Sequence, residues 1–298
     1  MTARTAQTPR PAITGAIVVG VDESPNAVGA ASFARILARR TGVACHLIHV
    51  AEAGHDPIGA GLRVREALAG AHPPIPADDL EVRIGAPADV LVTRAVQLRA
   101  SLIILGGKQH SIVGRWVAGS TAVAVVRESR IPVLVTRGPL GMLTRILVGA
   151  DATEAAFSAI RHAEDWAEFW NADLRLVHAV PLPPLLPEYS TGFDLEVLRM
   201  QGEAEAEREI FPLSGREGTE KVVELGSPAE VLAAQARDWQ ADLLVLTRHD
   251  RGWLSRAALG SVTERLLDGL PVSMLVVPAT KVSELKGIAK FSEPVVAS

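Results

Sequence analysis

An internal repeat constrains this chain more than any other feature of it. Ile17-Val-Val-Gly-Val-Asp22 returns as Ile146-Leu-Val-Gly-Ala-Asp151, at an offset of 129. Further along the offset becomes 141: Gly85-Ala-Pro87-Ala88 pairs with Gly226-Ser-Pro228-Ala229, Val90-Leu91 with Val231-Leu232, Gly119-Ser120 with Gly260-Ser261, and Leu134-Val135 with Leu275-Val276. The growth of the offset places an insertion inside the second copy. The proline-rich stretch PLPPLLPEYSTGF supplies it, and its composition reads as loop. The chain is therefore expected to be two copies of one domain, residues 14–137 and 143–280, joined near Arg137–Gly141 and followed by a tail, 281–298.

Each copy alternates short apolar runs with helix-length segments. Ile17–Val21 has the continuous apolar character of a strand buried on both faces. Ser24-Pro25 opens a helix, and Gly42 closes it. Further strands are expected at Ala44–Val50, 80–84, Leu102–Leu105 and Pro132–Thr136, with helices near 58–70, from Pro87 to Arg99 and over 116–129. The second copy repeats the pattern, with strands near 145–150, 173–179, 221–225, 242–247 and 272–277. Strand alternating with helix gives an α/β fold with a parallel sheet and helices on both faces, here two tandem doubly wound domains. Right-handed crossovers and a change of winding direction give each five-stranded sheet the order 3-2-1-4-5. Ligands in such sheets bind at the carboxyl ends of the strands, at the switch between strands 1 and 4. In the first copy those ends carry Asp22 and Gly106.

Composition narrows the function. The net charge of −4 gives no basic footprint for nucleic acid. No apolar run of roughly 18 residues occurs, so no membrane helix is expected, and MTARTAQTPRPA lacks the apolar core of a secretory signal. A single cysteine, Cys45, allows neither an intrachain disulfide nor a thiolate cluster. The expected compartment is the cytoplasm, and Cys45 reads as a buried small hydrophobe.

The ordered set of strand ends VGVD and VGAD, helix starts GxP, glycine-serine pairs and closing strands PVLVT and MLVVP resembles the universal stress protein family in its tandem form, over about residues 14–280. The resemblance implies five parallel strands per domain and dimer formation through the last strand, as a homodimer or as a pseudo-dimer within one chain. In one branch of the family it also implies binding of ATP or AMP, with Mg²⁺, through the pattern glycine, two residues, glycine, nine residues, glycine-Ser/Thr. In the first copy that pattern falls on Gly106, Gln109 and Gly119-Ser120, so one glycine is replaced; Gly107 and Thr121 flank it. In the second copy it falls on Thr247, Asp250 and Gly260-Ser261, so both early glycines are lost.

Physical chemistry ranks these departures. Gln109 costs about 1–2 kcal/mol if the backbone there is left-handed. Asp250 facing a phosphate 4 Å away repels it by roughly 4 kcal/mol at an effective dielectric of 20, partly offset by Arg248 and Arg251. The first copy is thus expected to hold nucleotide and the second to be degenerate. By resemblance Asp22 contacts the adenosine and Val50 packs on the adenine. Gly119, Ser120 and Thr121 present donors to phosphate at a helix N-terminus, and Lys108 and Arg115 supply positive charge. Each residue has a plainer alternative. Asp22 and Asp151 suit the capping of a loop or helix, as Ser120 and Ser261 do. His46 and His49 lie on opposite faces of a strand and cannot share a metal; His110 and the pair His249-Asp250 sit in loops, where histidines are usually solvated. No Ser-His-Asp arrangement, GxxxxGK[ST] or GxGxxG is present. The functions left are a nucleotide-dependent stress protein, a nucleotide-independent dimeric scaffold acting through protein partners, and a slow ATP hydrolase.

Overall fold

The computed structural model of the chain describes residues 13–51, 54, 56–76, 79–109, 116–182, 195–248 and 259–279. The first half runs β1 (Ala16–Gly20), α1 (Pro25–Thr41), β2 (Cys45–Ala51), α2 (Pro57–Leu68), β3 (Leu80–Ile84), α3 (Pro87–Gln97), β4 (Ala100–Gly106), β5 (Lys108–Gln109), β6 (Trp116–Val117), α4 (Ser120–Glu128) and β7 (Val133–Thr136). The second runs β8 (Arg145–Gly149), α5 (Ala156–Trp170), β9 (Asp173–Val180), α6 (Leu195–Glu205), β10 (Glu220–Leu225), α7 (Pro228–Asp238), β11 (Leu243–Arg248), α8 (Ser261–Gly269) and β12 (Ser273–Pro278). The stretch 183–193 of the insertion and the tail 281–298 lie outside the described residues.

Ten strands form one sheet in the order β10-β9-β8-β11-β12-β7-β4-β1-β2-β3. Each half contributes five parallel strands in the expected order, third-second-first-fourth-fifth. The halves meet where β12 runs antiparallel to β7. There Leu134 faces Leu275, its own counterpart in the repeat, while Val133 faces Val276 and Val135 faces Met274. A local twofold axis through the leucine pair produces this register, as in an isologous dimer interface. The pairing through the last strand that the resemblance implies is thus found here inside one chain.

The strands are apolar throughout because both faces of the sheet are covered. Ile17 and Val19 join a layer with Phe33, Leu37, Trp166 and Trp170, beneath α1, α2 and α5. Val18 joins the opposite layer with Leu91, Val125, Leu232 and Leu267, beneath α3, α4, α7 and α8. Aromatic rings lock the halves on the first side: Phe33 stacks on Trp166 and Trp170, and the Arg40 guanidinium lies 4.4 Å from the centre of the Trp170 ring.

The helix ends follow the sequence with two corrections. Pro25 starts α1 and Gly42 ends it in the left-handed conformation (φ 76°). Ser24 occupies the N-cap position of α1, but its side chain makes no cap bond; its main-chain N–H and hydroxyl both bond Asp22. The last helix of the first half starts at Ser120 and not at 116, because Trp116-Val117 pairs with Lys108-Gln109 in an antiparallel ribbon.

Candidate functional site

One cleft opens in each half at the carboxyl ends of the central strands, where the topology predicts it. The first, about 270 Å³, lies between the ends of β1, β2 and β4 and the starts of α1, α3 and α4. The second, about 230 Å³, is built from counterpart elements. Both are slightly under the roughly 300–1,000 Å³ of usual small-molecule sites. Their floors correspond residue by residue: Ile48, Val50, Leu91 and Leu105 in the first become Val177, Ala179, Leu232 and Leu246 in the second. The wall where Val50 stands is therefore lower in the second cleft.

Of the residues singled out from the sequence, Asp22, Val50, Gly106, Gly119, Thr121 and Lys108 line the first cleft. Gly107 does not line it. A Cβ built there would come 2.5 Å from the Leu270 side chain and 2.9 Å from the Thr136 carbonyl, so this glycine serves the packing of the two halves. Ser120 is exposed at the first position of α4, outside the lining. Asp151, Thr247, Gly260 and Ser261 line the second cleft, with Thr263 beside them. Asp250, His110, Arg115, His249 and Arg251 lie outside the described residues.

Asp22 follows β1 as an Asx turn, accepting from the Ser24 N–H at 3.0 Å. Asp151 makes the counterpart contact with the Thr153 hydroxyl at 2.6 Å. Both carboxylates are held at the cleft mouth by local bonds. Beside each stands a histidine that the repeat offset could have revealed. His49 Nδ1 is 2.9 Å from the Val21 carbonyl and His178 Nδ1 is 3.0 Å from the Ala150 carbonyl. Each pins the residue just before its aspartate, which gives the two histidines a structural task. Among the described residues no group of three His, Cys, Asp or Glu side chains could hold a metal ion.

The early glycines act differently from expectation. Gly106 keeps room for a neighbouring main chain: a Cβ there would sit 2.8 Å from the Asn26 carbonyl. Its counterpart Thr247 meets the equivalent carbonyl, Ala155, by donating its hydroxyl at 2.9 Å. The replacement is thus a repair of packing. Gln109 lies in the antiparallel ribbon, which requires extended backbone, so the left-handed strain expected of it does not arise.

The two clefts differ most at the helix starts, Gly119 and Gly260. Gly119, the N-cap of α4, has φ 82° and ψ 157°, a conformation open to glycine almost alone. No side chain caps the helix, no acid sits in its first turn, and the Lys108 stem runs alongside, with Cδ 3.3 Å from where a Gly119 Cβ would be. Among the described residues, then, no side chain caps the N-terminus of α4, the positive end of its helix dipole, and a lysine lies beside it. In the second cleft Gly260 has ordinary extended backbone, φ −60° and ψ 140°, and Glu264, in the first turn of α8, stands outside the lining and pairs with Arg127 at 3.6 Å. Arg248, expected to offset the charge of Asp250, is turned away into the boundary between the halves, where it bonds the Val126, Arg127 and Ser129 carbonyls. Cys45 lines neither cleft, and burial pushes its thiol up to about 12, which keeps it protonated and inert near neutral pH.

Comparison with known proteins agrees with the fold. The model of the universal stress protein family matches residues 14–137 and again 142–278. A universal stress protein of Mycolicibacterium smegmatis is 27% identical over 190 residues, covering 60% of this chain and 62% of that protein, so the chain spans under two thirds of that relative. Universal stress protein Rv2005c of Mycobacterium tuberculosis is 23% identical over 295 residues, covering 87% of this chain and 96% of that protein. The crystal structure of a functionally unknown protein, PA1789, from Pseudomonas aeruginosa superposes with a TM-score of 0.65 at 18% identity, over 93% of this chain and 97% of that one, a likeness of fold. With the family pattern matched twice along most of its length and ten strands arranged as two facing five-stranded units, the chain belongs to the universal stress protein family, in tandem form.

Proposed function

We propose that the first cleft binds an adenine nucleotide, ATP or AMP, that the second does not, and that the chain acts in stress adaptation through nucleotide-dependent interaction. The observation that carries this reading is the contrast between the two helix starts. At Gly119 a helix N-terminus with no side-chain cap, no acidic neighbour in its first turn and a lysine alongside suits a phosphate group. At Gly260 the same position has ordinary extended backbone, and no lysine lines the second cleft among the described residues. The floor of Ile48, Val50, Leu91 and Leu105 suits the flat apolar faces of a base, and Asp22 at the mouth suits ribose hydroxyls. Mg²⁺ fits as a companion of the phosphates and not as a resident of the protein, since Asp22 is the one carboxylate lining this cleft among the described residues. Asp22, His49 and Lys108 are the titratable residues lining the cleft among the described residues, and local bonds hold Asp22 to Ser24 and His49 to the Val21 carbonyl, so slow hydrolysis is the most that this reading includes.

Calorimetric titration of ATP and AMP with Mg²⁺, into the protein and into Gly119→Glu, tests it. One site per chain that is lost in the variant is the expected result. Two sites per chain would show that the second cleft keeps its function. No binding at millimolar nucleotide would leave the scaffold reading, in which the paired halves act by presenting surfaces to protein partners.

A further inference from the structure

Gly107 and Arg248 are counterparts in the repeat, at the later offset of 141, and so are Ser129 and Leu270. Across the local twofold axis Gly107 meets Leu270 and Arg248 meets Ser129, with opposite chemistry. On one side Leu270 fills the space left by Gly107. On the other, Arg248 crosses from the end of β11 in the second half to the end of α4 in the first. Its Nη1 lies 3.0, 2.5 and 2.9 Å from the carbonyls of Val126, Arg127 and Ser129. The side chain is inside the protein; Arg248 is 9% exposed.

These carbonyls are the ones a helix leaves unpaired at its C-terminus, and a cation there also meets the negative end of the helix dipole. A buried guanidinium in turn needs such partners to offset its lost hydration. The second half also holds the other end of α4: the N–H of Ala118, just ahead of Gly119, donates to the Leu267 carbonyl of α8 at 2.9 Å. A third tie joins Arg127 of α4 to Glu264 of α8 at 3.6 Å. With nine residues, α4 is shorter than the roughly 12–15 that hold a helix together in water, so its order depends on such contacts.

We propose that Arg248 is a positioning residue for the first cleft. The second half carries this arginine where the first has Gly107, and uses it to clamp α4; the clamp sets the order of the helix turn that faces phosphate. This inference rests on the nucleotide reading above for its consequence and on the clamp geometry for its cause, so its test has two arms.

In the first arm, hydrogen exchange is followed without ligand in the wild type, Arg248→Met and Arg248→Lys. Arg248→Met is expected to speed exchange in the first turn of α4, residues 120–123, as well as at 126–130, with Arg248→Lys restoring part of the protection. Faster exchange confined to 126–130 would overturn the proposal. In the second arm, ATP and adenosine are titrated into the same proteins. Arg248→Met is expected to weaken ATP about tenfold and adenosine by less than about twofold, because only ATP reaches α4. Equal weakening of both would mark a general loss of structure and would also overturn it. If the wild type binds neither ligand, the nucleotide reading falls, and protection at 120–123 alone decides whether the clamp exists. Should Arg248→Met fail to fold, Arg248→Lys carries both readouts, with smaller changes in the same directions expected.

Discussion

Gly119 and Gly260 are the same residue in the same place of the repeat, yet only one of them has a backbone conformation that calls for glycine. At Gly119 the backbone sits at φ 82°, ψ 157°, where a Cβ is strained. At Gly260 it sits at φ −60°, ψ 140°, which any residue adopts. Gly119→Ala is therefore expected to lower stability by about 1–3 kcal/mol. Gly260→Ala is expected to be neutral or to stabilise by about 0.4–1 kcal/mol, because alanine has less freedom to lose on folding. Urea denaturation of the two variants measures the difference, and equal losses would mean that the two helix starts do not differ as described. The sequence marks both glycines but cannot distinguish them, since the motif GS is identical in the two copies while the backbone angles differ. The same limit explains Gly106. Its spacing fits a phosphate motif, but what presses on it is the Asn26 carbonyl, a contact between distant segments that no local pattern encodes. His49 and His178 are a different case. They stand at the early offset of the repeat, 129, and were open to discovery by counting.

At the scale of elements, the sequence places the strands well because their residues are buried on both faces, so the apolar runs are continuous and bounded. It misplaces the start of α4 for the converse reason. Trp116, Val117 and Ala118 continue the apolar character of the helix, and nothing local shows that the first two belong to a ribbon paired with Lys108 and Gln109. The seam between β7 and β12 lies between these cases. The family pattern anticipates pairing through the last strand, whereas the register is set by packing. Leu134 and Leu275 are both fully buried and directly opposite each other. Each leucine-to-alanine change is expected to cost about 2–5 kcal/mol. Because the two side chains are cross-strand neighbours, the double variant should depart from additivity by about 0.5–3 kcal/mol. Denaturation of the wild type, both single variants and the double variant closes this cycle. Strict additivity would place the two leucines out of contact and would contradict the register.

For the whole molecule, the doubling of the domain has a consequence for assembly. An open strand edge is a template for another chain, and in each half the last strand would be that edge if the other half were absent. Here β7 and β12 cover each other, and the aromatic cluster of Phe33, Trp166 and Trp170 closes the same boundary on one face of the sheet. Neither feature is visible in one copy of the sequence alone. Phe33 sits in an alanine-rich helix of the first copy, and both of its ring partners belong to the second. A fragment of residues 1–141 should expose β7, whose four residues are all buried in the whole chain, together with Phe33. Since Leu134 faces its own counterpart in the intact protein, two fragments have the self-complementary register needed to pair in the same way. The fragment is expected to sediment as a dimer and to become monomeric on Leu134→Asp, which sets two like charges facing each other across the axis. The full chain, with that edge already paired, is expected to sediment at its own mass of 31.6 kDa. A fragment that remained monomeric with Leu134 intact would mean that the seam depends on the differences between the halves, Arg248 foremost, more than on the symmetry they share.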